Sequence, residues 1–75
     1  MIIKFSRHAK RRVKLYKIPE SAIRKILEAT DLDEGEYELV KDISGFMFPI
    51  KIVVVVEEEV ATVVTNYPLK KGRRK

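Results

Sequence analysis

Apolar and polar positions recur with two different periods along this chain, and the change of period marks its elements. From Arg7 to about Tyr16 the spacing is helical: Ala9, Val13 and Tyr16 fall at i, i+4 and i+7 and make one apolar stripe. His8, Arg12 and Leu15 share an adjacent stripe, while Lys10, Lys14 and Lys17 turn towards water. Ser6 precedes this helix and suits an N-cap, because its hydroxyl can accept from a free first-turn amide. Pro19 stops the first helix and starts a second, where a missing N–H costs no bond. Ile18 can pack on Ile23 across that start, and Ala22, Ile23, Ile26 and Leu27 form a buried face running to about Ala29.

Beyond an acidic turn region from Thr30 to Gly35 the period falls to two. Tyr37, Leu39 and Ile43 alternate with polar residues, and Ser44-Gly45 reads as a turn. From Phe46 the even positions through Val56 are all apolar, which predicts one long strand, half-buried at first and buried on both faces where Val53 and Val55 join the run. Pro49 cannot donate to a ladder, so a bulge or an edge is expected there. Glu57 to Glu59 make the next turn, and Val60 to Tyr67 is a last strand ended by Pro68. Ile2 to Phe5 reads as a short edge strand. The predicted order is β-α-α-β-β-β, an α+β fold with two helices packed on one face of an antiparallel sheet. Residues 1–69 form a single domain on this reading, and residues 70–75 a disordered basic tail.

Composition narrows the function. A chain of 75 residues fits one domain. With no cysteine there are no disulfides or thiolate metal sites. Met1 to Phe5 is too short and too soon charged for a secretory signal, and the longest apolar run, Ile52 to Val56, is far below the roughly 18 residues a membrane span needs. A cytoplasmic location is expected, and the abundance of Lys and Glu beside a single Asn points weakly to a thermophile.

Charge changes the picture more. The formal net charge is +5, and its distribution is polar: Met1 to Lys17 holds seven basic residues and no acid, while the acids occupy the middle of the chain. Such segregation makes a basic face that attracts polyanions. Arg7, Arg11, Lys14 and Lys17, with Arg73 and Arg74 of the tail, are the candidate nucleic-acid ligands.

Most catalytic constellations are missing. The three glycines are too scattered for a phosphate loop, the single His excludes a zinc cluster, and the carboxylates have no calcium-loop spacing. No metal or cofactor is expected. One local group carries chemistry: Arg12 is four residues from His8, and Arg11 three, so the side chains can converge. A His can act as general acid or base near neutral pH, and an Arg can stabilise a phosphorane through two donors. Together they could cleave RNA without metal, through attack of the 2′-hydroxyl on the adjacent phosphate. The alternative is structural: His8 caps or packs, and Arg12 lies along the sheet.

The segment Phe5-Ser6-Arg7-His8-Ala9-Lys10-Arg11-Arg12 resembles the opening of a family of small bacterial and archaeal domains with Ser-x-His-Ala-x-x-Arg on a first helix. Ile18, the Pro19 to Leu27 helix and Val63-Val64-Thr65-Asn66-Tyr67 continue the likeness over almost the whole chain. That family looks like a distant branch of the RelE and BrnT type toxins, which cleave mRNA and pair with an antitoxin. The resemblance implies a RelE-like fold, a site in which His8, Arg12, Thr65 and Tyr67 lie together where the first helix meets the last strand, and an acidic antitoxin as partner. The chain departs from the pattern in two places. Relatives often carry Arg-Gly before the Ile of the turn, where this chain has Tyr16-Lys17, and basic residues on its sheet are few, mainly Lys41 and Lys51.

Three functions therefore stand open. The first is a toxin-type ribonuclease with His8, Arg12 and Tyr67 catalytic and Thr65 helping to hold RNA. The second is a non-catalytic nucleic-acid-binding domain. The third is a protein-interaction module, or homodimer, pairing through a strand edge.

Overall fold

The computed structural model describes residues 2–69, with the element order β1 (Ile2–Phe5), α1 (Arg7–Tyr16), α2 (Glu20–Ala29), β2 (Gly35–Lys41), β3 (Ile50–Glu57) and β4 (Val60–Pro68). The expected β-α-α-β-β-β order is the observed one. The basic tail, with Arg73 and Arg74, lies outside the described residues.

Each helix starts and stops where local chemistry dictates. Ser6 Oγ accepts from the Ala9 amide at 3.0 Å, as an N-cap should, and donates to the Val64 carbonyl at 2.9 Å, which ties the start of α1 to β4. The helix ends at Lys17, which takes a left-handed conformation with φ 57°. The Ile18 amide then reaches the Val13 carbonyl at 2.9 Å, closing a Schellman motif around two buried residues. Glycine, which has no Cβ, suits that left-handed position best. Replacing Lys17 by Gly should raise stability by about 0.5–1 kcal/mol, read as a higher midpoint in thermal unfolding followed by circular dichroism; an unchanged or lower midpoint would contradict it.

The four strands form one sheet in the order β1-β4-β3-β2. β2, β3 and β4 are the expected antiparallel meander, and β1 is an edge strand as predicted. The sheet as a whole, however, is mixed and not antiparallel, because β1 runs parallel to β4, with Ile2 opposite Val60 and Phe5 opposite Val63. A β-α-α-β-β-β chain whose first and last strands are neighbours returns to the same sheet side in the same direction, a relation that strand periodicity does not encode. The Arg24 guanidinium of α2 caps the outer edge of β1, donating to the Ile3 carbonyl at 3.3 Å and lying 5.3 Å from the Phe5 ring centre.

The long strand predicted from Phe46 begins only at Ile50. Ser44-Gly45 forms a turn closed by the Phe46 amide on the Ile43 carbonyl, with Gly45 at φ 91°, and Ile43 is buried in this loop and not in a strand. Pro49, lacking an N–H, precedes the ladder, and its carbonyl accepts from the Leu69 amide. The bulge falls on β4 instead: Val54 pairs with Val63 and Val53 with Thr65, leaving Val64 unpaired. The β3–β4 connection is tight, with Glu58 and Glu59 both at positive φ.

The core lies between the helices and one sheet face. Ala9 and Val13 of α1 and Ile23 and Leu27 of α2 are buried against Ile50, Ile52, Val54, Val56, Ala61 and Val63. Val53 and Val55 point to the other face and are only half-buried, contrary to the expectation that both faces of β3 are covered. The apolar run is continuous because β-branched residues suit either face of a strand, while both helices pack on one side.

Candidate nucleic-acid interface

Burying Ala9 and Val13 turns the opposite side of α1 to solvent. Arg7, Lys10, Arg11 and Lys14 follow one another there at i, i+3, i+4 and i+7, so four cations line one helix face, all exposed. They border an open depression whose one further lining residue is Glu20, from the first turn of α2. Among the described residues none of the four forms an ion pair. Four such cations within about two helical turns make a concentrated positive field. The acids gather elsewhere, in the loop 31–34, along β2 and in the β3–β4 turn, where Glu34 Oε2 accepts from the Glu58 amide at 2.9 Å.

The residues expected to form a catalytic group are divided between two surfaces. His8 is exposed on the flank of α1. Arg12 is half-buried, and its guanidinium donates to the Tyr16 hydroxyl at 3.3 Å, one turn further along the helix. The bulge at Val64 then decides the fate of β4. Ala61 and Val63 face the helices, and past the extra residue it is Asn66 that continues on that side, fully buried with its amide nitrogen 3.4 Å from the Ala9 carbonyl. Thr65 and Tyr67 therefore project from the face away from Ala9 and Val13, as cross-strand partners of Val53 and Lys51. Among the described residues no hydrogen bond joins either of them to α1. Thr65 and Tyr67 share a face, as period two requires, but not the face on which α1 packs.

Of the basic residues on the sheet, Lys51 is already engaged. Its ammonium lies 3.0 Å from Glu38 Oε1. That hydrogen bond, followed by the neighbouring Tyr67, holds its pKa above the ordinary value of 10.5. A raised lysine pKa means that the contribution tied to the Lys51 proton is present below 10.5 and is lost as the pH climbs above it. Lys17 is exposed at the end of α1 but does not line the depression. Among the described residues no three His, Asp or Glu side chains are grouped to hold a metal ion, and no helix is long and apolar enough to cross a membrane.

Asn66 was not singled out by its sequence context, since an asparagine near the end of a strand reads as a solvated residue. Among the described residues it is the one buried polar side chain, and its Oδ1 has no partner among them. The Ala9 carbonyl it contacts belongs to the first turns of α1, so the helix can satisfy it without help. Replacing Asn66 by Val should therefore raise stability by about 1 kcal/mol in urea unfolding, because a half-satisfied buried amide costs more than it returns. A loss of stability would instead mean that Oδ1 is satisfied by a buried water.

Comparison with known proteins gives no match: no family model, no curated protein and no solved structure matches this chain.

Proposed function

We propose that this chain is a nucleic-acid-binding domain that grips phosphates with the solvent face of α1 and does no chemistry on them. The observation that carries the reading is the depression lined by Arg7, Lys10, Arg11 and Lys14, four cations on one rigid helix with no ion-pair partner among the described residues. Phosphate contacts of this kind supply affinity and little sequence information. The Tyr16 hydroxyl accepts from Arg12, and Tyr67 lies on another face, so the helix brings no exposed aromatic platform for stacking bases. The substrate class is therefore polyanionic backbone, RNA first, with weak preference among sequences.

Fluorescence anisotropy of a labelled single-stranded RNA at a series of salt concentrations tests this. Engagement of the four cations predicts a log–log slope near −3, from about 0.7 per phosphate contact on a single strand, and similar affinities for unrelated sequences. A flat salt dependence would refute it.

A metal-independent ribonuclease of toxin type is the second reading, favoured by the exposure of His8 three residues from Arg11 on the same helix. In it, His8 moves the proton and Arg11, not the engaged Arg12, faces the phosphate. An acidic antitoxin segment would cover the same basic face. RNA cleavage abolished by His8→Ala in a folded protein would favour this reading over pure binding.

A further inference from the structure

The sheet face away from the helices is ordered in rows, and the one that crosses all four strands is complementary to itself in charge. Reading across β1, β4, β3 and β2, one row is Lys4, Thr62, Val55 and Glu36; the next is Thr65, Val53 and Glu38; the third is Tyr67, Lys51 and Val40. The centre is β-branched, the β1 edge carries an exposed cation, and the β2 edge carries exposed anions. The continuous run from Ile50 to Val56, apart from Lys51, has the composition of a strand covered on both sides, yet the helices cover only one.

We infer that two copies of this chain pack through this face, sheet on sheet, about a two-fold axis parallel to the strands between β3 and β4. Rotation about that axis lays β4 of one copy over β3 of the other, and β1 over β2. Each row then meets itself reversed: Thr62 faces Val55 and Thr65 faces Val53 at the centre, while Lys4 of each copy faces Glu36 of the other at both rims. A two-fold about the perpendicular in-plane direction would instead set Lys4 against Lys4 and the glutamates against each other. Charge complementarity therefore selects both the partner, a second copy, and its orientation. The sheets would lie about 10 Å apart, the usual spacing of a β-sandwich. Both α1 basic faces stay on the outside, so the inference does not depend on the proposed nucleic-acid function.

Sedimentation equilibrium across the micromolar range tests it, with circular dichroism confirming that each variant folds. Wild type should reach twice the 8.7 kDa chain mass, and Val53→Lys should sediment as a monomer. Lys4→Glu and Glu36→Lys should each weaken association by about tenfold or more, and the two together should restore it. Within one chain Lys4 and Glu36 are three strand spacings apart, about 14 Å, so restoration can arise only between copies. A wild-type monomer at every concentration, a dimer that survives Val53→Lys, or charge variants whose losses add when combined would overturn the inference.

Discussion

Changing Arg7, Lys10, Arg11 and Lys14 together to Ala should lower affinity for single-stranded RNA by about two orders of magnitude at physiological salt while leaving the fold intact. The magnitude follows from counterion release. Each phosphate neutralised contributes about 0.7 to the salt exponent, so four contacts raise binding by roughly 200-fold at 0.15 M salt, and their loss should flatten the slope to near zero. The fold should survive because all four side chains are exposed and none takes part in an ion pair among the described residues. Alanine also has the highest helix propensity, which favours the variant helix. Changing Lys41 instead should have little effect, since it lies at the end of β2, far along the chain from the stripe. Equal losses from both changes would place the interface elsewhere and leave net charge alone to explain binding.

Leu27→Ala should cost about 2–5 kcal/mol, the range for emptying a leucine site in a core. Leu27 is fully buried on α2, and its neighbours in the core, Ile23, Ile50, Ile52 and Val54, are themselves without exposed surface. β-branched residues fixed in a sheet cannot move far to fill the space, which places the cost in the upper part of that range. A domain of 75 residues has about 4–11 kcal/mol of stability in total. The variant should therefore lose at least about 10 °C in melting temperature. A shift of only a few degrees would mean that α2 is loosely docked and that the core is carried by α1 and the sheet.

Much of this architecture is legible in the residues because it depends on short-range chemistry. Ser6 before an apolar stripe, Pro19 between two helical patterns, and Ser44-Gly45 between two strands act locally, and each lies where its chemistry places it. What periodicity could not supply is the partner of β1. Four residues, three of them apolar, do not state which strand they join or in which direction, and pairing with β4 makes the sheet mixed. Nor could it supply the bulge at Val64. Two-residue periodicity carries Thr65 and Tyr67 onto the side of Val63, towards the helices. One unpaired residue reverses that and buries Asn66 in their place. A single register slip thus separates Thr65 and Tyr67 from His8 and Arg12. The basic stripe, by contrast, is readable from spacing alone, because i, i+3, i+4 and i+7 share a face on any helix. Lys17 shows the limit of reading charge as function: its cation is exposed, but its backbone sits where glycine fits best.

The most direct test of the central claim is a gel assay of wild type and His8→Ala on a mixed-sequence RNA in the presence of EDTA. A phosphate-gripping domain predicts that both proteins retard the RNA equally, that rising salt releases it, and that the RNA is recovered intact. Cleavage to 2′,3′-cyclic phosphate ends by wild type alone would contradict the claim and place His8 in an active site.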